Sequence, residues 1–327
     1  MKNLKLIKTG LTGGICLGIG TVIFIIGFAA SGFNFDKVSF TDPYDKKTMT
    51  VSGSTKIIEI SEDDSNINIS QSEDNDIHIT YFENKYKKYT VTEGDTLKIQ
   101  KHSSKKIEFG VYTQDSSLYI QIPEKCKAAL KINSDNSNIK TENISAKSFE
   151  ISVDDGNISI ENVVVDGDSD ISTKSGNFLL SDCKFNGKFM INTNDGNVKS
   201  DNCEYKENAG ITTDCGAINI NSNKYSADLS LKTSDGNVKS ENCEYTGKTE
   251  INTVCGNVTL DNITCNSDLS VTTDDGNVKG TVNGSRDDFN IESSTKDGNN
   301  NLDDENNGKD KTLSVKTDCG NIKFDFR

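Results

Sequence analysis

The sequence predicts an all-β protein: a right-handed parallel β-solenoid of ~20-residue coils with an N-terminal β cap, preceded by one transmembrane helix. Three observations predict this fold. A triplet of Gly, Asn and an apolar residue recurs at regular spacing, as at Gly156, Gly176 and Gly196. Apolar residues alternate within each repeat, which is the spacing of strands rather than helices. An uncharged apolar run lies near the N-terminus. Two prolines and 26 glycines in 327 residues agree with many short turns.

The apolar run at the N-terminus predicts a membrane anchor. It covers residues 10–30 and follows Lys2, Lys5 and Lys8. A helix needs about 20 apolar residues to cross a bilayer, and lysines before the run favour a cytoplasmic N-terminus. A cleaved signal peptide is the alternative, with Ala29-Ala30-Ser31 as the cleavage site. The run is longer than the usual signal core of about 7–15 residues, so we expect a retained signal anchor.

The turns of the solenoid are predicted at a column of glycines. From Gly156 to Gly276 all steps have the same length, and the two steps after Gly276 are each slightly longer. An earlier copy begins at Ser137, which makes ten turns. Glycine adopts positive φ without steric cost, so we expect that conformation at each turn. The predicted structural turn glycines are Gly156, Gly176, Gly196, Gly216, Gly236, Gly256, Gly276, Gly298 and Gly320.

A single repeat with three short strands cannot bury its own apolar side chains. Parallel stacking about 4.8 Å apart brings equivalent residues into register and forms one continuous core. The asparagine after each glycine is then expected to form an amide ladder between coils. A sandwich of hairpins is the alternative fold, but it does not need ten in-register copies.

The remaining segments are assigned by position and composition. The less regular strands of residues 51–125 are predicted to close the N-terminal end of the core. The polar segment 299–311 is predicted to be a mobile loop, with a partner-binding loop as the alternative. The predicted organisation is a cytoplasmic tail at 1–9, a transmembrane helix at 10–31, a tether at 32–50, an N-terminal β cap at 51–125 and solenoid repeats at 126–327.

The order of these features resembles a known family. A Lys-Ile strand is followed by Tyr-Thr-Val-Thr-Glu-Gly-Asp-Thr-Leu-Lys-Ile at 89–99, an Ile-Pro strand end at 122–123, and coils of the form Thr-x-x-Gly-Asn-apolar. This pattern is similar to the bacterial putative-adhesin family with a DUF4097 domain, over about residues 51–327. The resemblance implies a β-helical head domain, and some members are encoded beside regulators of cell-envelope stress. The family has no agreed catalytic motif, so no site residue is transferred. The many cysteines and the 299–311 insertion depart from its pattern.

Acidic residues before the turn glycines raise the question of a metal site. Asp195, Asp235 and Asp275 alternate with Cys215 and Cys255, so that the pattern repeats over two coils. Calcium needs six to eight oxygen ligands, and the alternation separates the carboxylates. The Gly/Asp nonapeptide of calcium-binding β-rolls is also absent. We therefore predict no cofactor and no metal site, with calcium as the alternative.

Two further columns are predicted to pack rather than to bind. Cys183, Cys203 and Cys243 share a column with apolar residues, which is typical of buried thiols, with a Cys183–Cys203 bridge as the alternative. A second column contains Phe and three Tyr. We predict an aromatic ladder there, with a sugar-stacking strip as the alternative. Its members include Phe185, Tyr205, Tyr225 and Tyr245.

Composition and motifs favour a non-catalytic function. The net charge of −14 argues against a nucleic-acid partner. A glycan-cleaving site needs an acidic pair with basic groups in one cleft, but His78 and His102 lie in the cap and Arg286 stands alone. We therefore predict that the protein is not an enzyme. The predicted function is that of a surface interaction module, a putative adhesin, with an accessory or sensor protein of the cell-envelope stress response as the alternative. A polysaccharide-active β-helix enzyme is the third hypothesis.

The predicted partners follow from this topology and charge. The N-terminal helix would bind the membrane, as a single-pass anchor with the N-terminus inside and the C-terminal domain extracellular. The repeats would bind a cell-wall polymer, a glycan or an envelope protein. Because the repeats are acidic on balance, we expect a basic or cation-bridged partner whose binding weakens as salt rises.

Overall fold

The computed structural model describes residues 29–30, 43–104, 116–306 and 308–327. These residues form a β-solenoid whose strands belong to two large sheets. The predicted transmembrane segment 10–31 lies outside the described residues, apart from Ala29 and Ala30, which are helical. None of the helical structure in the described ranges has the length and apolar character needed to span a bilayer.

The first sheet, here the long-strand sheet, contains 13 strands. Each strand ends at a turn, and its neighbours pair with it in parallel except at the N-terminal end, where 87–92 runs antiparallel. In stacking order the strands are Lys87–Thr92, Thr96–Ser103, Ile57–Glu62, Ala129–Asn136, Ser148–Asp155, Ser169–Ser175, Phe189–Asp195, Ala209–Cys215, Leu229–Asp235, Thr249–Cys255, Leu269–Asp275, Thr312–Cys319 and Asn290–Asp297.

We call the second sheet the short-strand sheet. It contains the short strands that follow each turn and a column of two-residue corner strands. In stacking order the short strands are Asp45–Ser52, Asp76–Glu83, Leu118–Ile122, Ile67–Gln71, Ile139–Glu142, Ile158–Glu161, Phe178–Ser181, Val198–Asp201, Ile218–Asn221, Val238–Glu241, Val258–Cys265, Val278–Val282 and Ile322–Phe326. The corner strands are Ser145–Ala146, Val164–Val165, Lys184–Phe185, Glu204–Tyr205, Lys224–Tyr225 and Glu244–Tyr245.

The core is a set of apolar columns that run along the stack. Period-2 alternation sends every second side chain inward, so equivalent residues of successive coils meet in register. In the long-strand sheet Ile171 pairs with Ile191, which pairs with Ile211, and all three are fully buried. The predicted ~20-residue repeat is therefore confirmed as one continuous core.

The turn glycines are required by close packing of the backbone, and the prediction of positive φ is wrong. Among the described glycines, only Gly284 and Gly308 have positive φ. A Cβ atom on Gly236 would lie 1.9 Å from the carbonyl oxygen of Gly216 on the preceding coil. The threonine three residues earlier completes the turn, since Thr233 Oγ1 donates to that same oxygen at 3.0 Å. Coils stacked this closely leave no room for a side chain.

Positive φ occurs instead at the second turn, six residues after the glycine. Asparagine and aspartate tolerate this left-handed conformation better than other non-glycine residues. The φ angles there lie between 52° and 57°. The residues are Asn143, Asn162, Asp182, Asn202, Ser222, Asn242 and Asn262.

The predicted amide ladder is confirmed. Along the ladder, the asparagine after a turn glycine donates its Nδ2 to the Oδ1 of the preceding coil, as Asn177 does to Asn157 at 3.1 Å. The backbone N–H donates to the same oxygen. Ala217 interrupts the ladder, because it supplies the backbone donor but no amide. The ladder extends one coil further towards the N-terminus than the regular repeat, since Asn138 donates to Asn66.

The coils at both ends are not stacked in sequence order. At the N-terminal end, Ile57–Glu62 lies between Thr96–Ser103 and Ala129–Asn136. At the C-terminal end, Thr312–Cys319 lies between Leu269–Asp275 and Asn290–Asp297. The strand Thr312–Cys319 is therefore an interior member of its sheet, which differs from the sequential stacking expected from the repeat.

Part of the polar segment 299–311 is fixed on the C-terminal end of the stack, contrary to the expected mobile loop. Leu302 is fully buried against the core. Glu305 and Ile291 exchange two backbone hydrogen bonds of 2.7 and 3.0 Å, and Arg286 Nε contacts a Glu305 carboxylate oxygen at 2.9 Å. The segment thereby covers the outer edge of the last long strand, where unpaired backbone groups would otherwise be exposed.

Candidate interaction surfaces

One outer edge of the solenoid carries alternating carboxylates and thiols. These residues directly precede the turn glycines and occupy equivalent positions on successive coils, which lie about 4.8 Å apart. The inserted C-terminal strand places Cys319 between Asp275 and Asp297, so the alternation continues to the end of the stack. In stacking order this acid–thiol column is Asp195, Cys215, Asp235, Cys255, Asp275, Cys319 and Asp297.

The thiols of the acid–thiol column are exposed and weakly acidic. Partial desolvation, followed by the charges of Asp195 and Asp235, raises the pKa of Cys215. A hydrogen bond with Asp275 is the largest cause of the raised pKa of Cys319. Because the thiolate is the reactive form, these thiols are poor nucleophiles despite their exposure. Within the described ranges, no group of three or more His, Cys, Asp or Glu side chains is arranged to hold a metal ion.

A groove of about 520 Å³ runs along the outer face of the short-strand sheet. On one side it is bordered by the asparagine ladder, and on the other by a column of residues three positions after the turn glycines. We call it the lysine groove. Its lining residues are Ala217, Asn219, Asn237, Val238, Lys239, Asn257, Thr259, Asn277 and Lys279.

The lysine groove is basic although the chain is acidic. Two lysines and no carboxylate line it. Lys239 is paired with Glu241 of its own strand at 2.8 Å, but nearly half of its side chain remains exposed. Lys279 lies beside Lys323 of the last strand, Ile322–Phe326. The groove is thus positively charged, whereas the expectation of a basic partner was based on the net negative charge of the chain.

The outer face of the long-strand sheet offers two other depressions. One, of about 580 Å³, lies near the N-terminal end and is lined by serines, asparagine and charges of both signs, including Lys131 and Glu150. Those two side chains form an ion pair with each other. The other, of about 310 Å³, lies where Gly210 leaves a notch that is partly covered by Met190. The first has three carboxylates against one lysine and the second two carboxylates against one lysine, so neither depression is basic.

The aromatic and cysteine columns are internal. Tyr205, Tyr225 and Tyr245 are at most 1% exposed, and the rings of Tyr205 and Tyr225 stack at 4.7 Å. A buried ladder is therefore confirmed, and a sugar-binding strip is excluded at these residues. Cys183 and Cys203 are buried and free, as predicted for packing residues. Burial likewise raises the pKa of Cys265 to about 12.

A buried polar cluster in the N-terminal region has the composition of a Ser–Lys catalytic pair but not its accessibility. Lys101 Nζ lies 2.5 Å from Ser65 Oγ and 2.7 Å from a carboxylate oxygen of Glu62. The side chains of Lys101 and Glu62 are 2% and 0% exposed. Tyr89 donates to the second oxygen of Glu62 at 2.5 Å. With every group paired and solvent excluded, the cluster joins strands rather than activating a nucleophile.

The structure does not bring the other candidate catalytic residues together. His78 contacts Asp74 at 2.9 Å in an antiparallel strand of the N-terminal region, and His102 lies in the strand Thr96–Ser103 of the other sheet. Arg286 belongs to the C-terminal end, where it contacts Glu305. The predicted turn glycines form a single column at the coil edges. Sequence reasoning missed the position of Cys319 and Lys323, for which the longer steps between the last turn glycines were the only signal.

The chain is similar to several solved bacterial structures at low sequence identity. No curated protein sequence is similar enough to count as a relative. Solved structures include a putative adhesin of Bacteroides fragilis (14% identity, 86% of this chain and 97% of that chain, TM-score 0.38). A putative adhesin of Parabacteroides merdae has 15% identity (86% and 96% covered, TM-score 0.30). A structure from Parabacteroides distasonis, described as a putative lipid binding protein, has 15% identity (85% and 96% covered, TM-score 0.33).

The family model described as Toastrack DUF4097 matches residues 55–325, from just before the strand Ile57–Glu62 into the last strand of the chain. The predicted resemblance is thereby confirmed over nearly all of the described structure. The chain belongs to the Toastrack DUF4097 family.

Proposed function

We propose that the protein is a non-catalytic interaction module of the bacterial cell surface. The observation that supports this most directly is the uniformity of its exposed columns. Catalysis needs unlike groups that converge on one point. Here the outward positions repeat similar polar side chains over many coils, and the histidines and Arg286 lie on different elements.

Repetition suits binding to an extended partner. A surface that presents the same groups every one or two coils can make many weak contacts with a repetitive polymer, and linked weak contacts give high avidity. A rigid β stack also holds these groups at fixed spacing, which lowers the entropy lost on binding. The partner class we propose is a polymer or protein of the cell envelope.

The proposed location follows from the sequence of the N-terminal segment. An uncharged run preceded by lysines would anchor the chain in the membrane with the solenoid outside. The N-terminal strand Asp45–Ser52 lies at the edge of the short-strand sheet, so the anchor would join the stack at one end and leave its long sides free.

Binding and turnover can be separated with the full-length protein in nanodiscs. Purified cell-wall sacculi and envelope membranes are incubated with it, and both bound protein and soluble glycan products are measured. We expect saturable binding that weakens with added salt and releases no product. Release of soluble glycan fragments, abolished by changing one acidic residue, would show that the protein is an enzyme.

A further inference from the structure

We propose that the lysine groove binds a linear polysaccharide that carries one carboxylate per disaccharide. This inference rests on the proposed function, and it names both the surface and the chemical class of the ligand. Three features of the groove support this inference: the spacing of its lysines, the sign of its charge and the amides along its border.

The spacing of the lysines matches a disaccharide repeat. Lys239 and Lys279 line the groove, and Lys199 occupies the same position beyond its N-terminal end, so that lysines lie on every second coil of the short-strand sheet. This alternation ends at Lys279, because the next coil carries Lys323. Since adjacent coils lie about 4.8 Å apart, these ammonium groups repeat about every 9.6 Å. Extended β-linked sugars advance by a similar length per disaccharide. The coils between them present Asn219 and Thr259, which are uncharged.

The charge of the groove favours an anion. Lys199 and Lys239 each have one ion pair, with Asp201 and Glu241 of their own strands, and their side chains are 58% and 48% exposed. Exposed pairs of this kind contribute little energy, so a ligand carboxylate can share the ammonium group. Lys279 has no ion pair with any described residue, because Thr281 stands where the other strands carry an acid. The basic character therefore increases towards the C-terminal end.

The border of the groove suits sugar hydroxyls. Asn237, Asn257 and Asn277 lie side by side, with their amides joined by the hydrogen bonds of the ladder. An amide Nδ2 has two protons, and the ladder uses one of them. The second points away from the ladder bond and can donate to a hydroxyl oxygen. A row of such donors would hold the sugar rings between the carboxylate contacts.

The same spacing disfavours a polymer with a charge on every sugar. Every second carboxylate of such a chain would lie opposite Asn219 or Thr259 rather than a lysine. The carboxylate opposite Thr259 would also approach Asp261, two residues further along the same strand. Like charges at this distance repel. The groove should therefore discriminate by charge spacing and not only by total charge.

The test uses full-length protein in nanodiscs and isothermal titration calorimetry. The probe is a hyaluronan hexasaccharide, which has three disaccharides with one carboxylate each. A neutral N-acetylchitohexaose and a hexagalacturonate with a carboxylate on every sugar are the comparison ligands. We expect the hyaluronan fragment to bind more tightly than either.

Two charge-neutralising variants test the site, with a matched control. Lys239→Gln and Lys279→Gln should each weaken hyaluronan binding by about twofold to fivefold, as for loss of one exposed ion pair. Lys232→Gln removes the same charge from the outer face of the long-strand sheet and should leave the affinity unchanged. Circular dichroism confirms that all three variants are folded.

The outcomes separate this inference from the proposed function. Equal affinity of wild type and the two groove variants, or tighter binding of hexagalacturonate, would overturn the lysine groove as the site. If the hexasaccharide does not bind but the protein still binds sacculi, the ligand class is wrong and the surface function stands. If neither binds, both proposals fail.

Discussion

At the residue scale, the closeness of adjacent coils determines which side chains are allowed at the turns. The first turn excludes any Cβ atom because the neighbouring carbonyl oxygen lies directly above the glycine. The second turn requires positive φ, and asparagine supplies it together with a side-chain hydrogen bond between coils, as from Asn262 to Asn242 at 2.7 Å. Glycine and asparagine thus have different roles in one coil.

Replacing a turn glycine with alanine should destabilise the protein strongly. In Gly236→Ala the new methyl group would lie 1.9 Å from the Gly216 oxygen, so two coils must separate. Overpacking of this kind costs about 1–3 kcal/mol or more in the free energy of unfolding. Urea denaturation measures the change. Gly94→Ala is the control, because the nearest atom to its Cβ is at 3.7 Å, and it should change stability by less than about 1 kcal/mol. Equal effects of the two substitutions would disprove the steric role.

The reactivity of the exposed thiols should depend on the carboxylates beside them. Asp235 lies between Cys215 and Cys255 and helps to raise the pKa of both. In Asp235→Asn the pKa of both thiols falls, more thiolate is present at pH 8, and alkylation by iodoacetamide should accelerate about twofold to fivefold. Cys319 is the internal control, since Asp275 and Asp297 flank it instead.

Peptide-resolved mass spectrometry gives the alkylation rates of all three thiols in one experiment. Unchanged rates for Cys215 and Cys255 relative to Cys319 would show that the neighbouring carboxylates do not control the thiols. Buried Cys183 and Cys203 should react only after denaturation, because neither is more than 3% exposed.

At the element scale, the insertion of the strand Thr312–Cys319 closes the C-terminal end of the stack. Thr312–Cys319 fills a gap between the strands Leu269–Asp275 and Asn290–Asp297, and Ile322–Phe326 pairs with Val278–Val282 beside it. The outermost strand therefore reaches the rest of the sheet only through residues that come later in the chain. The C-terminal end can be completed only when the whole chain is available.

Removal of residues 312–327 should release the outer coil. Asn290–Asp297 would lose the strand with which it pairs, and Leu269–Asp275 would become an exposed edge. We expect amide hydrogen exchange at 290–305 to rise to the rate of an unfolded segment, and exposed edges to promote association. A synthetic peptide of residues 312–327 should restore protection, whereas a scrambled peptide should not. Unchanged protection at 290–297 in the truncated protein would contradict this role.

At the scale of the whole molecule, the structural unit is a pair of coils. The acid–thiol column repeats over two coils, and so do the lysines of the short-strand sheet as far as Lys279, beside which Lys323 lies on the next coil. The two-coil repeat keeps like charges about 9.6 Å apart instead of about 4.8 Å. Buried serines follow the same unit, since Ser200 and Ser240 each form a hydrogen bond with the tyrosine hydroxyl of their own coil. Contacts between pairs are local in the stack, so stability should be approximately additive along it.

Deletion of one coil pair should therefore preserve the fold. Removing residues 197–236 joins Gly196 to Asn237, places Asp195 beside Cys255, and removes Asn223 together with Ser200. We expect the same β circular dichroism and a cooperative transition with a smaller denaturant m-value, because less surface is buried. Removing only 197–226, one and a half coils, destroys the register of every column and should abolish cooperative unfolding. Cooperative unfolding of that shorter deletion would contradict the column model.

The sequence by itself determined the coil length, the turn positions, the buried columns and the asparagine ladder. These features are periodic, and a side chain such as Ile191 pairs with the equivalent residues Ile171 and Ile211 of the adjacent coils, so one alignment describes them all. The family could be recognised for the same reason. The conformation of the turn glycines could not be inferred from the sequence. Glycine is favoured both where φ is positive and where the backbone packs too closely for a Cβ atom, and a column of glycines does not distinguish these two causes.

Only the tertiary structure decided the order of the end coils and the side-chain neighbours that this order creates. The coils have matching columns, so the repeat pattern alone does not determine which strands distant in sequence pair with each other. The C-terminal pairing placed Cys319 between two aspartates and Lys323 beside Lys279. It also gave the polar segment around Leu302 an exposed core and strand edge to cover. Burial against a surface formed by non-local pairing outweighed a local composition typical of a loop.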